Sequence, residues 1–162
     1  MKLTVVTVGG TSGPLAGGIA EYESRAGRYW NLQVKEVGEG ARGGHSNPER
    51  IRSEEGRRLL KALTADSRIL LLTRAGKGMT SEGLARYLER QRTGAGKDVA
   101  FVIGGAWGVS ADVEAAATFR LSLSPMTLPH EMARLLLVEQ IYRAGTILRG
   151  EPYHKGPGGG DG

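Results

Sequence analysis

Short apolar runs alternate with amphipathic stretches along this chain. Lys2–Val8 alternates and is rich in Thr and Val, which predicts a strand. The turn cluster Gly9–Pro14 follows, and Leu15–Arg28 then carries Ile19, Tyr22 and Ala26 at helical spacing. Leu32–Val37 reads as a second strand. Gly38–Ser46 is polar and Gly-rich, holds Arg42 and His45, and reads as a mobile surface loop. Asn47-Pro48-Glu49 marks a helix start: an Asn cap, proline at the first helical position, then an acid. The helix Pro48–Leu63 places Ile51, Leu59, Leu60 and Leu63 toward a core. Arg68–Leu72 does not alternate, as expected of a central strand covered on both faces. Thr73–Met79 reads as a loop.

In the second half, Thr80 or Ser81 caps a helix over Glu82–Arg92, and Asp98–Ile103 is a fourth, central strand. Ser110 caps a short helix through Ala117, and Phe119–Leu123 is a short fifth strand. The last helix is His130–Leu148. Leu137, Ile141, Ala144 and Leu148 line one side of it, and Leu135, Val138 and Tyr142 another. That stripe is wider than one core face needs. It predicts a subunit interface; burial between the sheet and neighbouring helices is the other reading. Glu151–Lys155 is a short extension. Gly156–Gly162 holds five glycines in seven residues and reads as a disordered tail. Strands alternating with helices predict an α/β fold, a parallel sheet flanked by helices in one domain over residues 1–155.

Length and composition narrow the classes. A chain of 162 residues with 40% hydrophobic content fits one globular domain with a real core. No apolar run approaches the roughly 18 residues of a membrane span. The N-terminus reads as a first strand and not as a signal peptide. Zero Cys excludes a disulfide framework, a zinc knuckle and a thiol nucleophile. The chain is therefore read as cytoplasmic. A net charge of +5 favours a polyanionic partner, an Arg-rich surface being the plainer explanation.

Several motifs fail on inspection. Gly76-Lys77-Gly78 is not a phosphate loop: a Walker sequence needs Gly where Leu71 stands and Ser or Thr where Gly78 stands. The glycine cluster Gly104–Gly108 lacks the dinucleotide spacing and follows the wrong strand. His45, His130 and His154 lie in separate segments, so no metal site is expected. Ser110, Ser122 and Ser124 lack a nucleophile elbow.

Two loops remain, Gly104–Ser110 and Ser124–Pro129, each after an apolar run and each leading into a helix. Loops at the carboxyl ends of parallel strands are where α/β proteins form pockets. Gly104, Gly105 and Gly108 have no Cβ and let the chain approach a flat ligand; a tight strand-to-helix turn is the alternative. Ser124–Pro129 is uncharged and bracketed by Pro125 and Pro129. Its backbone suits an adenine edge, with Met126 and Leu128 packing on the ring; a rigid connector is the alternative.

The runs I-G-G-A-W-G-V-S (103–110), L-S-L-S-P-M-T-L-P-H (121–130), R-L-L-L-V-E-Q-I-Y-R-A (134–144) and E-P-Y-H-K (151–155) stand in order. With Met1–Val8, Glu54-Glu55-Gly56, and Leu72 followed by Gly76-Lys77, the chain from Met1 to Lys155 resembles the ribosomal RNA large subunit methyltransferase H family of small SPOUT-type enzymes. The resemblance implies a homodimer whose C-terminal third forms a trefoil knot around S-adenosylmethionine. Leu72, Gly104, Gly105, Ser124, Pro125, Met126, Thr127, Leu128 and Pro129 would hold that cofactor. It implies methylation of N3 of a pseudouridine in 23S rRNA, in the stem-loop facing the small subunit, on the assembled ribosome. The chain departs from the family pattern at Thr73, where many members have Asp, at Ala106-Trp107, and in its Gly-rich tail.

Such a reaction needs no metal, only a base or electrostatic support for the acceptor nitrogen. His154, Tyr153 and Arg143 are the catalytic candidates. His154 has a suitable pKa for proton removal, while Tyr153-His154-Lys155 as an RNA clamp is the alternative. Arg143 suits phosphate or the developing anion, or else pairs with Glu139. Lys155, Arg134 and His130 are the candidate RNA contacts; Arg25, Arg28, Arg42 and Lys77 are general phosphate candidates. Trp107 suits stacking on a flipped base, a core or interface position being the other reading. A SPOUT enzyme acting on tRNA and a ribosome-binding factor without catalysis are the competing functions.

Overall fold

The computed structural model describes residues 1–41, 43, 47–94 and 96–155, the side chains of His154 and Lys155 excepted. Arg42, His45 and the Gly-rich tail lie outside the described residues. Five strands and five helices alternate: β1 Lys2–Val8, α1 Ala16–Gly27, β2 Asn31–Val37, α2 Pro48–Ala62, β3 Arg68–Gly78, α3 Ser81–Thr93, β4 Val99–Ile103, α4 Ala111–Ala116, β5 Phe119–Ser122 and α5 His130–Leu148. A 3-10 turn, Pro152–Lys155, packs back on α5. The strands form one parallel sheet in the order β2-β1-β4-β3-β5.

The caps read from the sequence form as expected. Side chains of Asn47, Thr80 and Ser110 accept the backbone N–H of Arg50, Gly83 and Val113 and satisfy otherwise unpaired donors. Side chains of β1 alternate between two cores. Leu3 and Val5 meet Phe101, Leu88, Leu137 and Ile141 under α1, α3 and α5. Val6 and Val8 meet Val102, Leu59 and Val113 under α2 and α4. Central β4 is buried along its whole length.

Residues 73–78 differ from expectation. The stretch read as a loop belongs to an extended β3, yet Leu72 and Lys77 both stand opposite Leu121 of β5. Residues 73–76 therefore bow out of the ladder and the chain returns to it. Gly76 makes this crossing feasible, because a Cβ there would lie 2.7 Å from the carbonyl carbon of Arg120. Backbone cannot yield as a side chain can, so only glycine fits.

The wide apolar stripe of α5 is consumed inside the chain. Leu137, Val138, Ile141 and Ala144 are buried between α1, α3 and the sheet, and Leu135 and Tyr142 are partly covered. Of the stripe only Leu148 remains exposed, and Leu136, which lies outside it, is exposed as well. The stripe's width is thus explained without a subunit interface.

Candidate functional site

The carboxyl ends of β3, β4 and β5 open onto a cavity of about 840 Å³. That is the size of a small-molecule site, commonly 300–1,000 Å³. Its walls are the two loops singled out above. Leu72, Gly104 and Gly105 form one side; Ser124, Met126, Thr127, Leu128 and Pro129 form the other. Pro125 alone of the nine candidate cofactor residues is not among the lining residues. Sequence reasoning missed Arg74, whose guanidinium donates to the Thr127 hydroxyl at 3.3 Å and ties β3 to the second loop.

Both readings of the glycine loop hold, at different positions. Gly108 has φ +83° and donates its N–H to the Gly105 carbonyl at 3.1 Å, closing a tight turn. A Cβ on Gly104 would lie 2.6 Å from Val109, and one on Gly105 would lie 2.3 Å from Glu55 Oε2. The loop is thus pressed onto the protein behind it, and its bare backbone faces the cavity. In the second loop the Ser124 hydroxyl accepts the Met126 N–H at 3.0 Å, which fixes a turn and leaves Met126 74% exposed.

His130, the first residue of α5, lines this cavity and a second one. The second cavity, about 230 Å³, lies across the glycine loop between α2 and Trp107. Trp107 is 56% exposed, so its indole is not a core residue. Arg52 reaches only its carbonyl, at 3.3 Å.

Arg134 corrects an expectation. Read as an RNA contact, it is instead buried, 2.7 Å from Glu23 of α1 and 3.1 Å from Glu36 of β2. Burial disfavours its charge, but the two carboxylates outweigh that and raise its pKa. A guanidinium so enclosed, and already paired with two carboxylates, is not open to a phosphate. It clamps α5 to α1 and β2.

Arg143 and Tyr153 are brought together, but away from the cavity. Arg143 binds Glu139 at 2.6 Å and stacks over the Tyr153 ring at 4.8 Å. The Tyr153 hydroxyl donates to Glu139 Oε1 at 3.0 Å and meets the Tyr22 hydroxyl at 3.4 Å. Burial first, then these bonds, push the Tyr153 phenol well above its ordinary range, so it stays protonated near neutral pH. Tyr142 joins the cluster, its ring centroid 4.6 Å from that of Tyr153. Arg25 is also engaged, 2.7 Å from Glu21 and over the Tyr22 ring. Arg143 lies thirteen positions along α5 from His130, roughly 20 Å at the helical rise of about 1.5 Å per residue. The side chains of His154 and Lys155 lie outside the described set. Within one chain, then, the cavity and the C-terminal cluster occupy opposite ends of one helix.

Glu55 is the residue that sequence reasoning passed over. It sits on α2 between Ile51 and Leu59 at i±4 spacing, on the helix's inward stripe, and is 4% exposed. A carboxyl on an apolar stripe was the signal available. Burial, and then the charge of Glu39, raise its pKa, opposed by the Gly40 N–H and by Arg58.

Comparison with known proteins places this geometry. Residues 1–154 match the family model described as predicted SPOUT methyltransferase. The ribosomal RNA large subunit methyltransferase H of Gemmatimonas aurantiaca is 49% identical over 87% of this chain and 90% of its own length. Its namesakes in Syntrophotalea carbinolica and Anaeromyxobacter are 42% and 47% identical, over 95% and 96% of this chain and 99% and 100% of theirs. Among solved structures, a methylase-family protein from Neisseria gonorrhoeae superposes with a TM-score of 0.52 at 16% identity, over 87% of this chain and 81% of that one. That likeness supports the fold. The sequence match runs through both cavity loops and ends inside the C-terminal turn, and on it this chain belongs to the SPOUT methyltransferases, in the ribosomal RNA large subunit methyltransferase H family.

Proposed function

We propose that this protein transfers a methyl group from S-adenosylmethionine to N3 of a pseudouridine in 23S rRNA, in the stem-loop facing the small subunit of the assembled ribosome, as a cytoplasmic homodimer. The observation that carries this reading is the 840 Å³ cavity, walled by the two loops through which the family match runs. Backbone groups of Gly104, Gly105 and the 124–129 loop suit an adenine edge, and Leu72 and Leu128 supply apolar contact. The bound cofactor supplies an electrophilic methyl on a sulfonium. The chain's work is to hold that group, seat the acceptor nitrogen in line with it, and ease loss of the imide proton.

The roughly 20 Å between cavity and C-terminal cluster supports the homodimer. One chain keeps Arg143, Tyr153 and the backbone of His154 away from its own cavity, and a second copy can present them. Exposed Trp107, Met126, Leu136 and Leu148 supply apolar surface for that contact or for the ribosome. Close passage of Gly76 over β5 supports the trefoil-knotted topology of the family. The net charge of +5 suits an RNA partner.

A transfer assay with labelled S-adenosylmethionine tests the reading. Label should enter 23S rRNA of intact ribosomes and much less that of separated subunits, with mass spectrometry locating the methyl on pseudouridine N3. Label confined to tRNA, or no incorporation at all, would refute it.

A further inference from the structure

The two cavity loops suit only one end of the donor. S-adenosylmethionine has an adenosine at that end and, beyond its sulfonium, an ammonium and a carboxylate at the other. Gly104–Gly108 and Ser124–Pro129 contain no charged side chain. Their backbone suits the adenosine and leaves the carboxylate without a cation. A carboxylate drawn out of water needs a charged or hydrogen-bonding partner. Among the described residues, the ionisable side chains lining the larger cavity are Arg74, Glu114 and His130. Glu114 has the wrong sign and is paired with Arg120 at 2.7 Å. Arg74 is the only lysine or arginine of the described lining. A guanidinium meets a carboxylate with two parallel N–H bonds, where an imidazole N–H gives one.

The fold brings Arg74 to that wall by interrupting a strand. Residues 73–76 bow out of the ladder between Leu72 and Lys77, and irregularities of this kind re-aim side chains beside sites. The bow is pinned at Arg74 itself. The Ser122 hydroxyl donates to its carbonyl at 3.2 Å, and the Thr73 hydroxyl accepts the Ala75 N–H at 3.4 Å. The guanidinium donates one N–H to Thr127, on the opposite wall, at 3.3 Å. That is a long bond to a neutral group. Among the described residues no carboxylate pairs with Arg74, and its side chain is exposed. Most of its five N–H groups therefore remain for a ligand. Arg134 and Arg143, by contrast, are held by carboxylates.

We propose that Arg74 is a cofactor-binding residue, whose guanidinium pairs with the carboxylate at the methionine end of S-adenosylmethionine. This rests on the proposed seat of the donor in the larger cavity. Arg74 touches no reacting atom in this role, and no covalent step passes through it. The carboxylate is the same before and after the methyl leaves the sulfur. Arg74 therefore holds donor and demethylated product alike, and its effect falls on donor affinity and not on the chemical step.

The test uses the full chain and calorimetry with two donors, S-adenosylmethionine and its decarboxylated form. The second keeps adenosine, sulfonium and amine and lacks only the carboxylate. Wild type should bind the first at least about tenfold more tightly, the lower end for a hydrogen bond to a charged group. Arg74→Met should shrink that ratio to about twofold or less, with affinity for the decarboxylated donor within about twofold of wild type. Arg74→Gln keeps an N–H for Thr127 and drops the charge, and its ratio should lie at least about threefold below wild type. It decides the matter alone if Arg74→Met does not fold. Both affinities falling in step would make Arg74 a brace for the loop and overturns the inference. An unchanged ratio in the variants overturns it as well, and weakened ribosome binding beside that result would give the side chain to an RNA phosphate. Equal wild-type affinities overturn it while leaving the cavity as the donor site. Wild-type binding of neither donor refutes the proposed seat itself.

Discussion

At its amino end, α5 opens against a cavity walled by bare backbone: the glycine loop, the Ser124–Pro129 loop and the His130 ring. At its carboxyl end the same helix is ringed by side chains, with Tyr22, Tyr29, Tyr142 and Tyr153 packed around one another and Arg143 locked to Glu139. The first end suits a neutral, flat group that must lie close to main chain. The second suits a partner met through rings and charges. The cofactor-sized cavity and the Tyr–Arg cluster thus sit at opposite ends of one helix. A rod cannot bend its ends together, so in the proposed homodimer one copy's cluster would meet the other copy's cavity.

The sharpest way to break the first end is Gly105→Val. The new side chain would run into Glu55 Oε2, 2.3 Å from the ideal Cβ, so either that carboxyl or the loop walling the donor cavity must shift. Calorimetry should find donor affinity lowered at least about tenfold, as overpacking of about 1–3 kcal/mol beside the cavity gives. Affinity within twofold of wild type would separate the loop from the cofactor.

Arg143→Ala addresses the other end. It should lower methyl transfer at least about tenfold with donor affinity unchanged, as expected when a group acts only beyond the ground-state complex. Mixing it with Gly105→Val then tests the sharing of sites. If a cavity from one chain works with the helix end of its partner, random exchange should restore roughly a quarter of wild-type activity. No recovery in a mixture shown to exchange subunits would return both ends to one chain.

Arg134→Met asks whether the middle of the helix is structural. Losing a buried partner of two carboxylates should cost about 3 kcal/mol, the lower end of the usual range because Glu36 remains half exposed. Denaturant unfolding measures it. RNA affinity of the folded variant should stay within about twofold, and a selective loss of RNA binding would restore the phosphate role denied to it here.

The smallest effect concerns Glu55. Burial holds its carboxyl above the ordinary value of 4.5, so the fold favours the protonated form. That contribution is full below 4.5 and is lost as pH rises through the raised value. Glu55→Gln cannot ionise and should melt a few degrees above wild type at neutral pH, roughly 2–4 °C per kcal/mol gained. The gap should close below pH 4.5.

The elements were legible because their signals are local. Caps at Asn47, Thr80 and Ser110 and the unbroken apolar runs of β3 and β4 are written in adjacent residues. Residues 73–78 were not, since glycines and a lysine read as a turn until β5 lies beside them. The two cavity loops stood out because a ligand wall made of backbone shows in sequence as missing side chains. Arg134 and Glu55 were hidden for the opposite reason. A charged residue on a helix looks like surface until its surroundings are known, and only the spacing of Glu55 from Ile51 and Leu59 hinted otherwise. The separation along α5 is a distance, visible only once the helix is seen to run unbroken from His130 to Leu148.

A crystal of the full chain soaked with S-adenosylmethionine tests the central claim most directly. The account predicts the cofactor between Gly104–Gly105 and the Ser124–Pro129 loop, with its methyl open to an incoming base. Cofactor bound elsewhere, or those two loops closed on each other with the donor present in excess, would contradict it.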